Sequence, residues 1–269
     1  VNAAETIRKA LFGFYALAFF LYLFVPLAVM GAATFNTSRF PTVTPWQGTT
    51  LQWFDALWAD TAMWASLRTS ILVALCVVAV ALPVGTAAAL VLTSLHARAR
   101  GFMYAVMVSP LLTPGVVIGI ATLILWRSLG VGGGVFLIVV AQTSFIACYV
   151  MLMITARLQR FDRTQEEAAL GLGASKFMVF RRVLLPFLRP ALIAAALLAI
   201  LQSIENYNTT LFVRGFDTPL TVYIATQVRT GLTPAVNALA LVMIIVTILG
   251  AVGYEVARRS RAGRKTAEA

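Results

Sequence analysis

The 269-residue chain predicts an all-α membrane protein of six transmembrane helices, with both termini in the cytoplasm. Three observations carry this expectation. Hydrophobic residues make up 60% of the chain and charged residues 12%, whereas a soluble domain holds about 25% charged residues. Apolar runs recur near residues 11–34, 70–93, 102–126, 135–156, 190–212 and 236–257, each close to or above the ~20 residues that cross a ~30 Å hydrocarbon core as a helix. The 21 basic residues then set the orientation, because Lys and Arg accumulate on the cytoplasmic flanks of spans. With both termini inside, only Arg39, Arg68, Arg127, Arg214 and Arg229 lie on the outer side, and the other sixteen lie in cytoplasmic segments. The net charge of +11 is thereby a statement about topology, and no nucleic-acid partner is expected.

The first run holds about 24 largely apolar residues, beyond the ~7–15 of a signal-peptide core, and is read as a retained helix. The chain opens on Val1 instead of Met, which leaves room for sequence ahead of it. Residues 35–69 follow as an outer connection carrying Trp46, Trp53, Trp58 and Trp64. Such rings suit the membrane interface, or contact with an external protein. In the second and third runs, Gly85 with Ala89 and Gly115 with Gly119 are small residues four apart. That spacing lets helices approach closely, within the chain or between subunits. Pro83, Pro110 and Pro114 each remove a backbone donor and bend their helices. Gly130, Gly132, Gly133 and Gly134 read as a tight outer turn. The basic tail from Arg258 to Lys265 reads as a topogenic, solvated segment, with attraction to anionic membrane lipid as the alternative.

Residues that support catalysis are scarce. His96 is the one histidine, and it stands in a basic loop, where a solvated side chain is expected and a metal site is not. Cys76 and Cys148 fall inside apolar runs and behave there as small hydrophobes, with no disulfide framework. The chain has no G-x-x-x-x-G-K-[ST] phosphate loop and no G-x-S-x-G elbow, so it does not hydrolyse ATP by the usual loop. Gly171 and Gly173 form a lone G-x-G without the third glycine of a dinucleotide fingerprint. No catalytic residue, metal or cofactor is expected in this chain.

The informative segment is the cytoplasmic stretch 157–189, amphipathic and long for this chain. Thr164 followed by Glu167 predicts a capping box at the start of a short helix. Gly171 and Gly173 end that helix and turn the chain. Phe177, Phe180, Val183 and Leu184 then recur at helical spacing until Pro186 limits continuation. Period and charge alone leave a membrane-surface helix pair as the plainer reading.

The string is more specific than its period. Glu167-Ala168-Ala169, three residues, Gly173, nine residues and Val183-Leu184-Leu185-Pro186 resemble the EAA loop of binding-protein-dependent ABC importer permeases. The pattern of that loop is E-A-A, three residues, G, nine residues, I-x-L-P, and Val183 stands where Ile is usual. The placement between the fourth and fifth spans is also similar. Two further strings, Ser109-Pro110-Leu111-Leu112-Thr113-Pro114-Gly115-Val116-Val117-Ile118-Gly119 and Leu232-Thr233-Pro234-Ala235-Val236-Asn237-Ala238-Leu239-Ala240, resemble the polyamine (spermidine/putrescine) branch. Glu205-Asn206 departs from the paired aspartates usual in that branch.

The resemblance implies a type I ABC importer permease fold, a single permease domain over residues 1–269, in the bacterial inner membrane. It implies four kinds of partner or setting: a second homologous permease, two ATPase subunits that bind ATP and Mg, an extracytoplasmic solute-binding protein, and the lipid. Glu167, Ala168, Ala169, Gly173, Leu185 and Pro186 would form the ATPase-coupling loop. Glu167 caps, Ala168 and Ala169 keep the docked face low, and Gly173 permits the turn. Import of an opine, an aminophosphonate or iron by the same machinery is the alternative within the class. From other classes, an ATP-independent secondary transporter would be expected to show intramembrane charges or inverted repeats, and a membrane scaffold would not transport.

One polar string interrupts the fifth run: Glu205-Asn206-Tyr207-Asn208-Thr209-Thr210. With the span starting near Pro190, fifteen residues at ~1.5 Å put Glu205 about 22 Å along the crossing. A carboxylate there should face a wet cavity or a partner. Glu205, Asn208 and Thr209 are the candidate pathway residues, sharing a helical face with Phe212. The alternative is that the span ends near Glu205 and the string is its solvated end.

Overall fold

The computed structural model describes residues 3–231 and 233–267. Leu232, which opens the second polyamine-type string, lies outside them, as do the side chains of the basic tail. Among the described residues the secondary structure is helical apart from one isolated bridge between Asn36 and Thr49. The helices are α1 (Ala3–Ala33), α2 (Gln52–Ala59), α3 (Thr61–Ser94), α4 (Ala97–Leu112), α5 (Gly115–Ser128) and α6 (Val135–Leu158). After α7 (Thr164–Gly171) and α8 (Lys176–Val179), a π-helical turn (Phe180–Leu184) runs into α9 (Leu185–Ile204). Then come α10 (Thr210–Val213), α11 (Leu220–Thr230) and α12 (Pro234–Ala267).

Several helices outrun the predicted spans. Hydropathy marks only the apolar stretch, whereas a helix continues until its hydrogen bonding is interrupted. By length and composition, Ile7–Ala33, Thr61–Ser94, Val135–Leu158 and Lys176–Ile204 are each able to cross a membrane. The third predicted span is not one helix: α4 and α5 meet at a bend of 99° and make a fifth crossing only as a pair. The break follows from Pro114, which disfavours the α conformation in the residue before it. Thr113 is accordingly extended, at φ −84° and ψ 128°. Pro83, by contrast, sits inside a continuous α3.

The fifth span also departs from expectation. It ends at Ile204 instead of 212, with Glu205 as its C-terminal cap. The supposed common helical face of Glu205, Asn208, Thr209 and Phe212 therefore does not exist. Short polar side chains at Asn206, Asn208 and Thr209 compete with the backbone for hydrogen bonds, and Asn206 Oδ1 accepts one from the Thr210 amide at 3.2 Å. At the other end the helix starts early. Pro186 does not stop it, because the wide π turn just ahead relieves the clash between a proline ring and the carbonyl four residues back. The Leu185 amide donates to Phe180 O across that turn.

Contacts divide the described chain into two units, one of residues up to 61 together with those from 224 onward, and one of residues 62–223. In the first unit, α12 packs on α1 and α2. Asn36 organises the connection there. Its Nδ2 donates to Thr42 O and Pro45 O, its Oδ1 accepts from the amides of Ser38 and Gln47, and its own O accepts from Trp53 Nε1 at 2.8 Å. Trp53 is thus part of the framework of the connection. In the second unit, α3, α6 and α9 enclose the core, with Val77, Ala81, Leu137, Ile138, Ile146, Ile154 and Leu188 fully buried. A Cβ on Gly85 would lie 2.6 Å from Ala147 O, so the small residues of α3 serve packing against α6 within the chain.

Candidate functional site

The loop between α6 and α9 is built differently from its sequence expectation at its start. No capping box forms. The N-cap of α7 is Arg163, without a side-chain hydrogen bond. Asp162 does that work, its Oδ1 accepting from the Thr164 amide at 3.0 Å and from Thr164 Oγ1 at 2.8 Å. The Thr164 hydroxyl, and then its backbone N–H, hold the Asp162 carboxyl below the usual carboxylate range. Thr164 fails as a cap because it is already the first helical residue, one position past the cap.

The turn after α7 forms as the glycine predicts. Gly171 is the last helical residue, and Gly173 carries the positive φ, +85°. The Gly173 amide donates to Leu170 O at 2.9 Å and the Ala174 amide to Ala169 O at 3.1 Å, the paired bonds of a Schellman motif. Ser175 Oγ then caps α8 by accepting from the Met178 amide at 3.2 Å. Glu167, Ala168 and Gly173 are exposed and Ala169 half-buried; Leu185 and Pro186 are exposed further on, at the start of α9. Exposed Leu172, Phe177 and Met178 add apolar surface to the same loop.

Two arginines that count in sequence as topogenic also anchor this loop. Arg163 Nη2 donates to Thr93 O at the end of α3, at 3.0 Å. Arg157 Nε donates to Phe187 O at 3.3 Å, and its guanidinium lies 4.1 Å from the Phe187 ring centre. The loop is tied to α3 by one residue, and α6 is tied to the start of α9 by the other.

The second feature is a cavity of about 360 Å³ where the two broken helices face each other. Unwound backbone is tolerated at membrane depth only where it is buried in protein or lines a cavity. Glu205, Asn206, Tyr207, Asn208 and Thr209 line one side, Pro110, Thr113 and Gly115 another, and α6 adds Phe145 and Tyr149. The structure therefore brings all three predicted pathway residues to one cavity, on an irregular segment instead of a helical stripe. Glu205 and Asn208 are exposed there and Thr209 is buried. Thr209 Oγ1 has no hydrogen-bond partner among the protein atoms.

Sequence reasoning missed the α6 contribution. Its signal was present: Gln142, Thr143, Ser144 and Tyr149 interrupt an otherwise apolar run. Outside the cavity lining, Gln142 bonds Ser203 and Thr210. At the start of α6, Asp217 Oδ2 accepts from the Val135 amide at 2.9 Å.

Comparison with known proteins accords with this architecture. Over 243 residues the chain is 34% identical to the putrescine transport system permease protein PotI of Escherichia coli strain K12, covering 87% of this chain and 84% of the relative. It is 27% identical over 265 residues to the spermidine/putrescine transport system permease protein PotC of the same strain, covering 97% and 99%. Among solved structures, a bacterial ABC transporter involved in import of the acidic polysaccharide alginate superposes with a TM-score of 0.71 at 16% identity, over 95% of this chain and 98% of that one. The MetNI methionine ABC transporter matches with a TM-score of 0.57 at 19% identity, over 76% and 97%. At such identities the structures speak for the fold alone, that of ABC transporter permeases. Residues 81–261 match the family of binding-protein-dependent transport system inner membrane components, and the chain belongs to that family as a multi-pass permease subunit of the bacterial inner membrane.

Proposed function

We propose that this chain is the translocating subunit of an ATP-driven importer for a cationic amine of the putrescine or spermidine kind, handed over by an extracytoplasmic binding protein. One observation carries the reading of the solute: the exposed Glu205 carboxylate stands at a cavity walled by the rings of Phe145, Tyr149 and Tyr207. A carboxylate beside aromatic faces suits an ammonium group, which gains from both the charge and the ring quadrupole. The names of the similar permeases support the same solute class.

In this proposal the chain works as one permease domain with six crossings and both termini inside, beside a homologous second permease. Two separate ATPase subunits hold ATP and Mg, and this chain supplies no cofactor site. Glu167, Ala168 and Ala169 present the face that docks on the ATPase, Gly173 sets the turn behind it, and Leu185 and Pro186 join the loop to α9. Closure of the ATPase dimer then rocks the helices that Arg157 and Arg163 tie to the loop, as rigid-body alternation of access requires.

The test is Glu205→Gln in the reconstituted transporter. Loss of one charge-assisted hydrogen bond, ~1.5–3 kcal/mol, corresponds to a fall of about tenfold or more in putrescine uptake. Unchanged uptake kinetics would remove Glu205 from the path and, with it, the argument for a cation.

A further inference from the structure

The unwound segment between α9 and α10 is bracketed by a single side chain of α6. Gln142 is 1% exposed. Its Oε1 accepts a hydrogen bond from Ser203 Oγ at 2.6 Å, and its Nε2 donates to Thr210 Oγ1 at 2.8 Å. Ser203 belongs to the last turn of α9 and Thr210 opens α10. The two contacts therefore grip the chain on both sides of the segment from Glu205 to Thr209. Thr210 passes its own hydroxyl proton to Asn206 Oδ1 at 3.0 Å, and Asn206 lines the cavity.

The direction of this relay is determined by its members. Thr210 has one hydroxyl proton and gives it to Asn206, so the group behind it has to donate, while Ser203 needs an acceptor. A primary amide satisfies both demands at once. A hydrocarbon satisfies neither, and a carboxylate offers no donor to Thr210. Ser203 and Thr210 are themselves buried, so water does not readily replace the amide, and an unpaired hydroxyl in such surroundings is costly.

We propose that Gln142 is a positioning residue of the transport path. It fixes where Glu205, Asn206 and Asn208 stand in the cavity, and it makes the unwound segment move with the packed pair α6 and α9 instead of on its own. The inference rests on the reading of the cavity as the solute path, but not on the charge of the solute. It assigns to Gln142 no contact with the solute.

The experiment uses the whole transporter, with partner permease, ATPase subunits and binding protein, in proteoliposomes. Uptake of putrescine and of spermidine is measured per assembled complex for Gln142→Leu, Ser203→Ala, Thr210→Val and Thr210→Ser. The expected result is a fall of tenfold or more in turnover per complex for Gln142→Leu and Thr210→Val, together with a changed ratio of putrescine to spermidine uptake. Thr210→Ser, which keeps the hydroxyl, is expected to restore both to within about twofold of the parent, a margin under 0.5 kcal/mol. A purely structural role would lower the number of complexes and leave turnover and the ratio unchanged, and that outcome overturns the proposal. So does parental uptake by Gln142→Leu. If Gln142→Leu does not assemble, Ser203→Ala and Thr210→Val decide by the same two readouts. The Glu205→Gln variant, measured in parallel, keeps the two readings apart: parental uptake in that variant with a loss in Gln142→Leu removes the cation argument and leaves the clamp standing.

Discussion

A Cβ added to Gly119 would lie 2.7 Å from the carbonyl oxygen of Thr209, so α5 rests on the segment between α9 and α10 through bare backbone. Gly115, one turn earlier, would meet Thr209 Oγ1 at 2.8 Å. The small pair that sequence spacing singled out is a contact inside this chain, at the wall of the cavity.

That contact gives the first prediction. Gly119→Val should cost about 1–3 kcal/mol, because the obstacle is a carbonyl that moves only with its backbone. Gly101→Ala is the control: nothing stands within 4 Å of its Cβ position, and the exchange should gain up to ~1 kcal/mol of helix propensity. Thermal unfolding of the purified transporter distinguishes them. Equal midpoints for the parent and Gly119→Val would mean that the two segments do not touch.

Gly173, at φ +85°, leads to the second. A β-branched residue there is strained by ~1–2 kcal/mol, whereas Asn tolerates the conformation. Gly173→Val should impair uptake and the stimulation of ATP hydrolysis by loaded binding protein, with normal membrane insertion, and Gly173→Asn should retain more of both. Parental transport by Gly173→Val would detach this turn from coupling.

For docking, the third prediction uses the exposed face of α7. Cysteine at Ala168 or Ala169, in a background lacking Cys76 and Cys148, should cross-link to a cysteine in the ATPase surface groove, with a yield that changes on nucleotide binding. A full scan of groove positions without a product would remove α7 from the interface.

A fourth prediction concerns pH. Because Thr164 holds the Asp162 carboxyl below its ordinary value, ionised Asp162 stabilises the start of α7 above the unfolded pKa. That contribution is lost as pH falls through the depressed folded value. Protection of the Gln165 to Glu167 amides against hydrogen exchange, corrected for intrinsic rate, should hold steady across the neutral range and fall only in acid. Asp162→Ala should show the loss at neutral pH already. Undiminished protection in that variant would return the cap to the backbone alone.

How far the sequence reached can be judged at individual residues. Composition, apolar runs and the placement of Arg and Lys sufficed for a helical membrane protein, because burying a spanning backbone in lipid leaves few alternatives to helix. The E-A-A string with Gly173 sufficed for the loop and its turn, because positive φ is a local property that glycine carries wherever it goes. Pro114 announced a bend but not its 99°, which depends on what α4 and α5 pack against.

The folded structure decided the rest, through local geometry at Asp162 and Pro186 and through distant contacts at the cavity. The cap of α7 went to Asp162 because Thr164 had already entered the helix. Pro186 passed inside a helix because a π turn made room for its ring. Glu205, Asn208 and Thr209 came together by a break and not by helical periodicity. On the two sides of that break, Gln142, more than sixty residues away in sequence, satisfies Ser203 and Thr210. A polar residue in an apolar run can be seen in the sequence; which buried groups it will satisfy is settled only when distant helices close around it and water is gone.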